Sequence, residues 1–134
     1  MVLGGGALGI TVCTESNQPL VMLDWSLRDD TAAIAEVMEH ELEHVRDAIS
    51  YPGGCKEFRE RYRVDQEFRI EAELKGYCRN AARAVRKKVA QPDLVAAFFT
   101  AFLLHIYPTD QTEAQIRKQF DACIKAGGVL QNTT

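Results

Sequence analysis

The chain has 134 residues, 46% of them apolar and 26% charged. These values fit one soluble globular domain over 1–134 and exclude a disordered or fibrous chain. Nineteen acids against sixteen bases leave a net charge of −3, which gives no global pull toward nucleic acid or a membrane surface.

The lead 1–9 is Gly-rich at Gly4–Gly6 and carries no base, so it reads as a flexible segment rather than a signal peptide. Ile10–Thr14 and Leu20–Asp24 are β-prone runs separated by turn formers, the pattern of a β-hairpin. Asp29 or Asp30 then caps a helix running to Ser50, where Pro52, Gly53 and Gly54 break the pattern. In that helix Ile34, Met38, Leu42, Val45 and Ile49 recur at three- and four-residue steps and predict one buried stripe. A second helical stretch is expected from about Cys55 to Val89, with an interruption near Val64 and Asp65. A third, from about Asp93 to Tyr107, is apolar nearly all round and is expected at the centre of the core. It is too short to span a bilayer. Asp110 with Glu113 suggests a capping box for a fourth helix, with Gly127 and Gly128 at its end. The tail 131–134 reads as frayed. The fold class is therefore α+β and predominantly helical: a short hairpin followed by about four helices.

Charge is unevenly spread. Residues 1–54 hold nine acids and two bases, and residues 55–90 hold eleven bases and six acids. Arg79, Arg83, Arg86, Lys87 and Lys88 read as a solvated helix face near a helix C-terminus rather than a nucleic-acid surface. Cys13, Cys55, Cys78 and Cys123 show no C-x-x-C spacing, which argues against a zinc knuckle or a thioredoxin-type site. Four reduced thiols and a cytoplasmic location are the expectation.

The motif with chemical content is His40-Glu41-Leu42-Glu43-His44, in the middle of the helix expected to end at Ser50. Residues four apart on a helix share a face, with Cβ atoms about 5–6 Å apart. Two imidazoles can therefore converge on one Zn²⁺. Glu41 lies about 100° further round the helix, beside the ion, where it can serve as general base to a water that zinc acidifies. A catalytic zinc needs a third protein ligand. A metzincin would have Gly at position 47 and His or Asp at 50, but Asp47 and Ser50 stand there. A downstream glutamate is the alternative: Glu67, Glu71 or Glu73, of which Glu73 is favoured. It opens the run Glu73-Leu74-Lys75-Gly76-Tyr77, whose small residue permits close helix packing.

His40–His44 followed by Glu73–Tyr77 resembles the gluzincin branch of the zincin metallopeptidases, in particular short bacterial and phage-type members. The likeness spans roughly 10–80. It implies a minimal zincin-like domain, with zinc on His40, His44 and Glu73 and Glu41 as base. Family members often carry Asp four residues after the glutamate ligand, as partner to a histidine. Tyr77 stands at that position, so the partner is sought in Asp47 or a backbone carbonyl. Such folds also usually have more strands before the motif helix than this chain has room for. A second copy of the chain could complete so small a sheet.

An oxyanion donor is expected among Tyr77, Tyr107, His105, Tyr51 and Tyr62, with Tyr77 the catalytic candidate. His105, within an apolar helix, reads as a hydrogen-bonded core residue before a catalytic one. A substrate strand would add to a sheet edge formed by Val21, Met22 and Leu23 or by Thr11 and Val12. The function expected is peptide-bond hydrolysis with zinc as cofactor and a protein or peptide as partner, without membrane or nucleic acid. The alternative is an inactive zincin-like protein that binds a partner or holds structural zinc.

Overall fold

The computed structural model describes residues 8–130. The expected tail 131–134 and all but Leu8 and Gly9 of the expected lead lie outside the described residues. Gly9 is a correction to that lead, because it is the first residue of a strand.

The fold is α+β and predominantly helical. Strands β1 (Gly9–Cys13) and β2 (Pro19–Leu23) form an antiparallel hairpin, in register Gly9 to Leu23 and Cys13 to Pro19. Asn17 takes a positive φ in the connecting turn, where Asn is among the few residues that tolerate it. Pro19 opens β2, a position where its missing donor does least harm to the ladder. A 3-10 turn, Trp25–Leu27, leads into α1 (Thr31–Ser50), capped by Asp30 through a bond from the Ala33 amide. Then follow α2 (Cys55–Val64), α3 (Gln66–Arg86), α4 (Pro92–Ile106) and α5 (Glu113–Lys125).

The second helical stretch divides at Asp65, so there are five helices among the described residues. Asp65 ends α2 and caps α3, accepting from the Phe68 amide at 3.0 Å. The stretch stops at Arg86 rather than near Val89, and Lys88 turns out with a φ of 58°. The capping box of α5 is Thr112 with Gln115, not Asp110 with Glu113. Two helical residues are thereby lost, because the Asp110 amide is held instead by Glu67.

Two cores lie on either side of α3. Ile70, Leu74, Ala81, Leu103, Ile116 and Phe120 join α3, α4 and α5. A smaller cluster of Ala48, Cys55, Phe58 and Ala72 joins α1, α2 and α3. The central helix is thus α3. On α4, Leu94 and Phe98 are exposed and only one side is buried, which corrects the expectation of a central apolar helix. The stripe predicted on α1 is also corrected. Leu42 and Ile49 are exposed, 38% and 66%, whereas His40, Glu41, Glu43, His44 and Ala48 are buried. Among the described residues, no helix is long and apolar enough to cross a membrane.

The four cysteines form two disulfides, Cys13–Cys55 and Cys78–Cys123, with Cα–Cα separations of 5.7 and 5.9 Å. This overturns the expectation of four reduced thiols. Spacing along the chain hid the pairing, because the partners stand 42 and 45 residues apart. The first bond ties β1 to the start of α2; the second ties α3 to α5.

Candidate metal centre

The site lies in the seam where α1 packs along α3. From α1 come His40, Glu41 and His44; from α3 come Glu73, Gly76, Tyr77 and Asn80, which recur at three- and four-residue steps and share a face. Acids on α1 and bases on α3 set the helices in register: Glu43 with Arg79, Asp47 with Lys75, and Glu39 with Arg83 and Arg86. Much of the expected solvated basic face is therefore spent against α1.

His40, His44 and Glu73 come together, all buried, each with one ligand atom within 4.8 Å of the others. His40 Nε2 lies 3.2 Å from His44 Nε2 and 3.0 Å from Glu73 Oε1, and His44 Nε2 lies 3.4 Å from Glu73 Oε2. A tetrahedral zinc with bonds of about 2.0–2.1 Å would hold its donors about 3.3 Å apart. The donor set, two imidazole nitrogens and a carboxylate, fits that ion in both type and spacing.

The tautomer of His40 is fixed from behind. Asn80 Nδ2 donates to the Glu36 carbonyl at 2.9 Å, which turns Asn80 Oδ1 toward His40 Nδ1 at 3.0 Å. His40 Nδ1–H therefore donates to Asn80, and Nε2 presents its lone pair to His44 and Glu73. Three electron-rich atoms facing one another require a proton or a cation between them. Tyr62 completes the Glu73 environment by donating to Oε2 at 2.6 Å.

Gly76 is where α3 admits His40. A Cβ there would stand 2.6–2.9 Å from three atoms of the imidazole ring. The ring cannot retreat, because Asn80 holds it on one side and the Tyr77 ring packs edge-on against it with centroids 4.3 Å apart.

Glu41 is fully buried and directed by β1. Thr11 Oγ1 donates to Glu41 Oε1 at 2.7 Å, while Oε2 has no hydrogen-bond partner among the described residues. β1 comes this close because Gly9 lacks a side chain; a Cβ there would meet Val37 Cγ1 at 2.5 Å.

Burial alone would lower the pKa of His44, but the carboxylates of Glu73, Glu41 and Asp47 raise it above its usual value. For Glu73 burial works upward, and the charge of His44 with the bonds from both histidines holds it below the usual carboxylate range. The hydroxyls of Tyr62, Tyr77 and Tyr107 gather beside Glu73, and burial, with that carboxylate's charge, pushes all three up.

A cleft of about 670 Å³ opens beside the seam. Ile10 and Thr11 of β1 line one side, Phe58 and Tyr62 of α2 the other, and His44 also lines it. Ile10 and Thr11 point to opposite faces of the strand, so the cleft follows the edge of β1 that β2 leaves unpaired. Val21, Met22 and Leu23 of β2 do not line it.

Of the rival glutamates, Glu71 faces solvent, and Glu67 binds Thr109 and the Asp110 amide ahead of α5. Asp47 accepts from Lys75 and makes no hydrogen bond to either imidazole. Tyr51 sits in an aromatic cluster with Phe58 and Phe68, and His105 is exposed on α4, neither in the core nor at the site. Sequence reasoning missed Asn80, whose only signal is its place seven residues after Glu73, two helical turns on. Comparison with protein families, with curated proteins and with solved structures finds no match to this chain, so the functional reading rests on these side chains.

Proposed function

We propose that the chain is a zinc-dependent metallopeptidase. The observation that carries this reading is the convergence of His40, His44 and Glu73 beside a second buried carboxylate, Glu41, with one oxygen unpartnered. Zinc held by the first three would supply a Lewis acid that acidifies a water and polarises a carbonyl. Glu41, oriented through Oε1 by Thr11, takes the proton of the attacking water at Oε2 and returns it to the departing amine. Asn80 keeps His40 in the tautomer that offers Nε2. Tyr77, packed against His40, is the hydroxyl best situated to donate to the developing oxyanion, because the proton of Tyr62 is committed to Glu73 Oε2. A substrate strand lies along the free edge of β1. The two disulfides support an oxidising compartment in place of the cytoplasm.

The test is zinc content by mass spectrometry together with hydrolysis of an unfolded protein such as casein. Wild type is expected to hold one zinc and cleave. Glu41→Gln keeps the zinc and loses cleavage, and His44→Ala loses both. Equal zinc in wild type and His44→Ala overturns the reading. A non-catalytic zinc protein is favoured by one observation, the near-complete burial of the triad at 0–2% exposure. It predicts a fourth protein ligand on the bound ion and no cleavage by wild type.

A further inference from the structure

The cations of the basic half of the chain meet two different fates. Those on α3 from Lys75 to Arg86 face α1 and are matched there by Asp47, Glu43 and Glu39. Of those lining the cleft, Arg63 alone is matched by an acid among the described residues. Lys56, Arg59, Arg63 and Arg69 line it, and Glu60 is the single acid among the described lining residues apart from the seam. Glu60 is already held by Arg63 through bonds of 2.6 and 3.1 Å. Lys56 donates to the Glu15 carbonyl at 2.9 Å, which neutralises nothing. Arg59 pairs with no acid among the described residues.

Arg69 is half-buried and set in place. Its Nε donates to the Tyr62 carbonyl at 3.0 Å and its Nη2 to the Arg63 carbonyl at 2.7 Å, with the guanidinium over the Tyr62 ring at 5.6 Å. Backbone carbonyls fix its plane, no carboxylate among the described residues quenches its charge, and Nη1 keeps its donors. A fork so fixed suits a carboxylate. Like charges crowded along a groove with apolar walls such as Ile10, Ala48 and Phe58 repel one another unless an anion enters.

The same cleft reaches His44 and Tyr62. We propose that it is an anion-binding subsite, and that the chain acts on peptides bearing carboxylates close to the bond cut. This inference deepens the metallopeptidase reading and rests on it. The strand edge and apolar walls suit a peptide; of the two phenyl rings in the lining, Phe58 is buried and Tyr62 is half-buried with the Arg69 guanidinium over it, a poor platform for stacking bases.

The experiment uses zinc-loaded Glu41→Gln protein and fluorescence anisotropy. The probes are a labelled glutamate-containing peptide, its glutamine counterpart, each with free and amidated C-terminus, and a labelled oligothymidylate. The carboxylate-bearing peptide is expected to bind about tenfold more tightly than the amidated glutamine peptide, and higher salt reduces the difference. Adding Arg59→Glu removes the preference while the melting temperature holds, and Arg59→Lys retains it. A preference that follows the free C-terminus rather than the glutamates assigns the anion to the chain end. Equal binding of all four peptides, or oligothymidylate binding more tightly than any of them, overturns the proposal. Selective binding by Glu41→Gln, with no cleavage of the same peptide by wild type, strikes the metallopeptidase reading and leaves the subsite standing.

Discussion

Helix α3 separates two regions built on opposite principles. Toward α4 and α5 it presents Ile70, Leu74 and Ala81, and the contact with Leu103, Ile116 and Phe120 is wholly apolar. Toward α1 it presents Glu73, Gly76 and Asn80, and what it buries there are two histidines and a carboxylate. Burying apolar surface stabilises a fold wherever it occurs. Burying an imidazole pair and two carboxylates does so only when each group has its partner. The apolar side therefore carries stability and tolerates rearrangement in kind, whereas the polar side holds a fixed geometry and depends on its neighbour for support.

Phe120→Ala should break the comparison most heavily. Removing a fully buried ring from the larger core is expected to cost about 3–5 kcal/mol in urea unfolding, with zinc stoichiometry of the folded fraction unchanged. If zinc is lost in proportion to stability, the two regions are not separable.

Gly76→Ala tests the other side. The added methyl meets a ring pinned by Asn80 and Tyr77, so zinc affinity is expected to fall by about 100-fold, the upper range for disturbing a ligand's support. Asn80→Ala should fall within about 10–100-fold. Competition with a chromophoric chelator reads both, and an unchanged affinity in Gly76→Ala would show that His40 is not placed as described.

The smallest effect is on pH dependence, in protein stripped of zinc by chelator. Glu73 is depressed from 4.5, so its contribution to stability is present above that value and lost as pH falls below it. His44 is raised from 6.5, so its contribution is present below that value and lost as pH rises through the raised one. The stripped protein should melt highest between these limits and lower on either side. Added zinc should stabilise most on the alkaline side, where His44 has given up its proton. A melting temperature flat across this range would show that the pair contributes nothing.

The convergence of His40, His44 and Glu73 was largely legible in the sequence, because a helix turns a spacing of four into proximity. Glu73 was legible through Gly76, since a missing side chain marks where a neighbour enters. What was misread follows from the same seam. Hydropathy along α1 points to Ile34, Leu42 and Ile49, yet the face that packs most deeply is the polar one, and Leu42 and Ile49 lie toward solvent. A periodicity argument assumes that what is buried is oily, and at this helix it is not. The disulfides and Asn80 depend on contacts between distant segments, which no local pattern encodes.

The position of α2 has a mechanical consequence. One end turns through the single residue Asp65, whose carboxylate holds both Arg61 and the Phe68 amide. The other end is welded to β1 at Cys55. The helix is a beam clamped at both ends, not a flap on a hinge. A ligand entering beneath it would find the wall already in place, and the entropy of closing a lid would not be subtracted from its affinity. Cutting the sulfur bond would turn the beam into a cantilever.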